Sequence, residues 1–268
     1  MESIKIYTES DAERFIKDMK SCKGLFIDVD GTTVENFSDS WIQGMENVLT
    51  KKYGVDIKDG FFKSFPVDTT KNVGGEKFSL AVSRHAIDVY NLRGVSAEQL
   101  LKTARPFIDD VVCSRVKYKD NAIELFKIFK ERGVILSAVT SCGNNDLEHL
   151  RGNPNLKKEM PFDELFDNVV HADILKKGQL SKPAPDLYLL AIELLKSKLH
   201  GKFDHRKQGI AIEDSESGVL SAMSASLKVL EVPTKGTRLS NKASVATYRT
   251  TGYKSIVDAL EKNERGEK

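Results

Sequence analysis

The chain has 268 residues, with 41 Lys+Arg against 39 Asp+Glu and a formal net charge of +2. Charged residues make up 30% and hydrophobic ones 40%, a dense and balanced mixture that describes a solvated globular surface, not a nucleic-acid-binding face or an acidic disordered tail. The length fits one large domain or two unequal ones, and three scattered cysteines (Cys22, Cys113, Cys142) without a CxxC pair read as reduced thiols, not as a disulfide framework or a zinc site. The first residues show no basic start leading into an apolar run, and no apolar stretch is long enough to span a bilayer. The expectation is therefore a cytoplasmic protein with no membrane partner and no nucleic-acid partner.

In chain order, a first buried strand is expected over 24–28, a short apolar run bounded by Gly24 and Asp28. Residues 37–110 differ: they contain helical patterns over 41–52, 77–90 and 97–103 and no convincing strand. Ser96 with Gln99 three residues on forms a capping box for the last of these. Pro66 and the Gly74–Gly75 pair mark loops inside the same stretch. A helix follows over 121–132, with Ala122, Leu125, Phe126 and Phe129 on one face and a stop at Gly133. Strands are expected over 134–140, 168–171, 209–212 and 228–232, and helices over 186–199 and 218–226. Unalternating apolar strands separated by amphipathic helices imply βαβ units: an α/β fold, a Rossmann-like parallel sheet flanked by helices, with an α-helical insertion after its first strand. In such sheets ligands bind at the carboxyl ends of the strands, so the polar residues that end each apolar run carry the interest.

Four such ends stand out. The first strand runs into Asp28-Val-Asp30-Gly31-Thr-Thr33, where two carboxylates two positions apart can converge on one metal and one substrate; an Asp-rich turn is the bland alternative. The second ends in Thr140-Ser141, whose hydroxyls, with the amides of Gly143-Asn144-Asn145, can take a phosphate oxygen or simply cap a helix. Ser181-Lys182-Pro-Ala-Pro-Asp186 fixes the backbone with two prolines and aims Lys182 in one direction, or else leaves it solvated. The fourth ends in Ile212-Glu213-Asp214-Ser215, where buried carboxylates need a cation or hydrogen bonds to compensate them, or where Asp214 or Ser215 caps the next helix.

Together, DVDGTT at 28–33, Thr140 after an apolar strand, KPAPD at 182–186 and EDSESG at 213–218 resemble the haloacid dehalogenase superfamily, in particular its β-phosphoglucomutase and sugar-phosphate phosphatase subgroup, over about residues 22 to 262. The resemblance implies that Asp28 is the nucleophile, forming an aspartyl-phosphate, and Asp30 the general acid and base. It implies that Thr140 and Ser141 bind phosphate, that Lys182 offsets charge between Asp28 and the phosphoryl group, and that Mg²⁺ is held by Asp28, Asp214, the Asp30 carbonyl and Glu213, directly or through a water. The second Asp argues against a dehalogenase, and against a phosphonatase, which has an alanine where Asp30 stands. The span between Asp28 and Thr140 holds a helical insertion, whereas that between Thr140 and Lys182 is too short for a second one. The implied organisation is a discontinuous core, 1–36 and 111–268, with a helical cap over 37–110.

The expected activity is Mg²⁺-dependent hydrolysis of a small phosphate monoester, a sugar or polyol phosphate. A phosphomutase is the alternative; mutases of this subgroup carry a histidine in the first cap helix, where this chain has Ser40 beside Trp41. A non-catalytic phosphometabolite-binding protein ranks lower, because it has no need of all four catalytic groups. The chain departs from its relatives at Glu35-Asn36, at Lys119-Asp120 where a Pro-Gly is common, at Ser224-Ala-Ser-Leu227 and in a charged stretch over 196–207. His85 reads as a surface or packing residue, His171 as a satisfied strand-end histidine and Cys142 as a small buried residue, and Arg84, Lys71 and Lys77 are candidates for substrate contact.

Overall fold

A computed structural model describes residues 9–57, 75–232, 234, 245–250 and 252–265. Its centre is β1 (Gly24–Ile27), all four residues of which are buried. Leu25 and Ile27 enter one apolar core and Phe26 the other, so both faces of the strand are covered. Beside it lie β4 (Ile135–Val139) and β6 (Gly209–Glu213), followed outward by β5 (Asn168–Val170) on one side and by β7 (Lys228–Glu231) and β8 (Tyr248–Arg249) on the other. The six strands run in the order β5-β4-β1-β6-β7-β8, and every pairing is parallel. The five strands expected from sequence are all present. The two-residue β8 has too short a pattern to be read from sequence, and the same holds for the antiparallel ribbon of β2 (Val34–Glu35) with β3 (Lys117–Tyr118).

Helices cover both faces. On the face that takes Leu25 and Ile27 lie α1 (Glu9–Met19), α5 (Ala122–Glu131) and α12 (Tyr253–Arg265); on the Phe26 face lie α9 (Asp186–Lys198) and α11 (Glu216–Ser224). Both α1 and α12 are additions to the expected set. After β4 come α6 (Asn144–Gly152), α7 (Pro154–Glu159) and α8 (Phe162–Leu165), and α10 (His205–Gln208) precedes β6.

Residues 37–110 contribute helices, as expected: α2 (Phe37–Tyr53), α3 (Gly75–Val89) and α4 (Ala97–Arg115). Ser96 and Gln99 form the expected capping box, both hydrogen bonds present. The last helix does not stop at 103. It runs 19 residues through Pro106, because Ala104, Ile108, Val111 and Val112 continue its buried stripe. Packing against α2 outweighs the one backbone bond that the proline removes. Pro66, Lys71 and Gly74 lie outside the described residues. Among the described residues no helix is long and apolar enough to cross a membrane.

Candidate active site

The register brings three strand ends together. The Asp28 N–H donates to the Ile212 carbonyl at 3.0 Å, which sets Asp28 beside Glu213 at the end of β6. On the other flank β4 ends at Val139, next to Thr140. Lys182, on the segment leading into α9, reaches across all three: its Nζ donates to Asp28 Oδ1 at 2.5 Å, to Glu213 Oε1 at 2.6 Å and to the Val139 carbonyl at 2.8 Å. Its side chain is 4% exposed and that of Glu213 is wholly buried. Burial opposes the lysine charge, but Asp28 and Glu213 outweigh it and hold its pKa above the ordinary value. Burial pushes the Glu213 carboxyl up to about 8 against the pull of Lys182. The Tyr188 hydroxyl, on the first turn of α9, donates to the same Glu213 oxygen at 2.5 Å. Gly218 makes this packing possible, since a Cβ there would lie 2.0 Å from the Glu213 carboxylate.

The turn after β1 is fixed by its own backbone. Gly31 adopts a φ of +79°, and a Cβ on it would stand 2.0 Å from Asp214 Oδ2, so only glycine fits. The Thr33 hydroxyl donates to the Asp28 carbonyl at 2.7 Å, and the Tyr253 hydroxyl donates to the Thr32 carbonyl at 3.0 Å. Asp214 accepts from Thr32 Oγ1 at 3.3 Å and from the Thr234 hydroxyl. The capping of α11 falls to Ser215, whose Oγ accepts from the Gly218 N–H at 3.1 Å, leaving Asp214 for the cluster. Carboxylate oxygens of Asp28, Glu213 and Asp214 all lie within 4.8 Å of one another. Burial first, then Asp28, raises the Asp214 pKa. Mutually repelling, largely desolvated carboxylates with hard oxygen donors fit a divalent cation, which would relieve the repulsion.

Asp30 points to the start of α2. It accepts from the Ser38 hydroxyl and, at 3.4 Å, from the Ser38 N–H. Burial pushes its carboxyl up to about 6, against the lowering effect of Ser38. A carboxyl of that strength can both give and take a proton near neutrality.

Thr140 is 2% exposed at the β4 end, and its Oγ1 accepts from the Cys142 N–H at 3.1 Å. The Ser141 hydroxyl accepts from Ser181 at 2.8 Å. Of the amides read beside them, two have acid partners, in line with the helix-capping alternative: the Gly143 N–H donates to Asp146 Oδ2 at 3.1 Å and the Asn144 N–H to Asp173 Oδ2 at 2.7 Å. Asp146 caps α6 from three residues on, and Asp173 reaches the Asn144 amide from beyond β5. Arg84 is exposed and His85 half-buried on α3. Lys77 belongs to α3, but its side chain lies outside what is described, as does all of Lys71. Burial lowers the His171 pKa and raises that of the half-buried Cys142 thiol.

Four residues escaped the sequence reading: Ser38, Lys119, Tyr188 and Thr234. Tyr188 had a signal, a hydroxyl on the core-facing stripe of an otherwise apolar helix. Ser38 also had one, a small hydroxyl in a first helical turn just after the Asp pair. Thr234 and Lys119 had none, because each reaches the site only through tertiary placement.

Fold and site thus define a doubly wound α/β protein with an acid cluster and a buried lysine at the carboxyl ends of its central strands. Residues 22–225 match the family of haloacid dehalogenase-like hydrolases, and the chain belongs to that family; it is a hydrolase. No curated protein matches the chain by sequence. Among solved structures it is similar to a predicted phosphoglycolate phosphatase from Haemophilus somnus 129pt (18% identity, 90% of this chain and 99% of that one covered, TM-score 0.63). It is also similar to a protein assigned as a β-phosphoglucomutase from Thermotoga maritima (19% identity, 90% and 99% covered, TM-score 0.64). A third is a mutant of CbbY from Rhodobacter sphaeroides in complex with xylulose-(1,5)bisphosphate (17% identity, 87% and 95% covered, TM-score 0.59).

Proposed function

We propose that this protein is a Mg²⁺-dependent phosphatase of a small phosphate monoester, a sugar or polyol phosphate, working through an aspartyl-phosphate on Asp28. The observation that carries the reading is Asp28 itself, set between the Lys182 ammonium at 2.5 Å and the Asp214 carboxylate, with Asp30 two residues on and held apart by Ser38. Three of the similar structures, by their descriptions, concern phosphorylated sugars or acids, which agrees with the substrate class.

Asp28 attacks phosphorus in line. The bond to the leaving oxygen breaks, and Asp30, protonated at its raised pKa, gives that oxygen its proton. Asp30, now a carboxylate, takes a proton from water as the water attacks the aspartyl-phosphate. Inorganic phosphate leaves and Asp28 is restored. Lys182 holds Asp28 in place and neutralises the charge shared by nucleophile and phosphoryl oxygens. Thr140, with Ser141, is placed at the neighbouring strand end to donate its hydroxyl to the phosphoryl group. Mg²⁺, held by Asp28, Asp214 and the Asp30 carbonyl, would supply Lewis-acid stabilisation of the phosphoryl oxygens. Glu213 spends Oε1 on Lys182 and Tyr188 and so positions the lysine, while its Oε2, which accepts from the Ser215 hydroxyl at 3.4 Å, leaves it within the carboxylate cluster that would hold Mg²⁺, directly or through a water.

Residues 37–110 act as a cap, closing over the site and selecting the substrate, with 1–36 and 111–268 as the core. The Ser38 contact to Asp30 supports this, because it ties the first helix of the insertion to the reacting carboxyl. A phosphomutase would need a histidine there; Ser40 is fully buried instead, and it is Ser38 that meets Asp30. The test is release of inorganic phosphate from an aryl phosphate and a panel of sugar and polyol phosphates with Mg²⁺, using Asp28→Asn as control. Equal inactivity of both proteins across the panel sinks the reading. Conversion of a hexose 1-phosphate to its 6-phosphate without phosphate release would replace it with the mutase.

A further inference from the structure

Lys119 belongs to none of the motifs above. It follows β3, the strand that brings the chain back from the helical insertion, and it is 7% exposed. Its backbone N–H donates to the Thr33 carbonyl at 2.9 Å, and its Nζ donates to the Gly31 carbonyl at 2.5 Å. The residue therefore clasps both ends of the turn that follows Asp28 and Asp30. A neutral donor could satisfy the Gly31 carbonyl equally well. Burying an ammonium carries a desolvation cost that only nearby negative charge offsets. Burial does lower the pKa of Lys119, while Asp214, Glu35 and Asp28, in that order, work to raise it. The Gly31 carbonyl that accepts from Lys119 Nζ also accepts from the Thr234 hydroxyl at 3.0 Å, and Thr234 donates to Asp214 as well, so Lys119 stands one hydrogen-bonded bridge from that carboxylate. Lys182 contacts Asp28 and Glu213, whereas Lys119 contacts the turn that packs against Asp214.

We infer that Lys119 is a built-in counter-charge to Asp214, a positioning residue that keeps the carboxylate cluster and the Gly31–Thr33 turn assembled when no cation is bound. The inference rests on the proposed reading of the cluster as a metal site. Of the four carboxylates (Asp28, Asp30, Glu213, Asp214), Asp28 and Glu213 meet the Lys182 ammonium, and Lys119 brings a second ammonium to the turn beside Asp214. When a divalent cation enters, the same charge opposes it, so Lys119 keeps the site formed and its metal exchangeable.

The experiment is a double-variant cycle in chelator-treated protein, with Lys119→Met, Asp214→Asn and the two combined, read by thermal unfolding. Lys119→Met should lower Tm by several degrees, and adding Asp214→Asn should restore most of that loss, because the acid needing compensation is gone. Losses that simply add would overturn the inference, since a purely packing role is not rescued by removing a charge. If Lys119→Met alone does not fold, recovery of folded double variant supports the inference and an unfolded double variant overturns it. Calorimetric titration with Mg²⁺ alone forms the second arm: Lys119→Met should bind about tenfold more tightly than wild type, and unchanged or weaker binding overturns the inference. Wild-type protein that takes up no Mg²⁺ would instead defeat the metal-site reading, while the cycle still decides the role of Lys119.

Discussion

The strand-end cluster and the helical layer of α2 to α4 are built on opposite terms. In the cluster the charged groups hold one another: Lys182 has three acceptors, Asp28 among them, Glu213 accepts from Lys182 and Tyr188, and Asp214 accepts from Thr32 and Thr234. The helical layer coheres by apolar packing and meets the rest of the chain through a few polar ties. One is Ser38 on Asp30; others join α4 to α6 and α7, through His149 Nδ1 to Asp109 Oδ1 at 2.5 Å and Asn153 Nδ2 to the Val112 carbonyl at 3.1 Å. On the proposed reading, chemistry that needs fixed geometry sits where the backbone over-determines it, and selection of substrate falls to the layer where single contacts can change.

That contrast can be broken in graded steps. Asp28→Asn should lower phosphate release roughly 10⁴-fold or more, since nothing else can accept the phosphoryl group; steady-state assay with Mg²⁺ checks it. Lys182→Met should cost about 3–5 kcal/mol of stability in urea unfolding, because it leaves Glu213 and Asp28 buried against each other. A loss under 1 kcal/mol would show that the cluster is not over-determined at all. Asp30→Asn should reduce turnover of an alkyl phosphate roughly 10²–10⁴-fold and that of an aryl phosphate far less, because a phenolate leaves without a proton.

The pH profile sharpens the same point. Burial raises Asp30 to about 6, so the protonated acid persists to that pH and is lost above it. The kcat/KM for an alkyl ester should fall as pH rises through about 6, and the aryl ester should lack that limb. Ser38 favours the ionised form, so Ser38→Ala should move the limb to higher pH by about one unit, showing that the helical layer tunes the core acid. The smallest effect belongs to the layer alone: Ser96→Ala should cost about 0.5–2 kcal/mol in thermal or urea unfolding and leave kcat unchanged.

Much of this was legible in the sequence. Apolar runs such as Gly24–Ile27 and Gly209–Glu213 announce buried parallel strands, because a strand covered on both faces has no polar side to alternate with. Their polar ends announce a site, because Asp28, Glu213 and Asp214 have no structural reason to end buried strands together. What was not legible depends on distance in the chain. The end of α4 lies 12 residues beyond the expected 103, since a proline inside a helix is tolerated only when packing supplies the difference. The engagement of the Gly143 and Asn144 amides depends on Asp146 and Asp173, the second of which is 29 positions away.

The sequence by itself therefore determined the α/β class, the central strands, the helical insertion and the charged groups at the strand ends, all of which follow from local periodicity and from the cost of burying charge. Only the tertiary structure decided the strand order, the assignment of Glu213 to Lys182 and Tyr188, the hold of Ser38 on Asp30 and the place of Lys119 on the Gly31 carbonyl. Apart from Ser38, eight positions from Asp30, these contacts join residues far apart in the chain, and a hydrogen bond of that kind leaves no periodic trace in the order of amino acids.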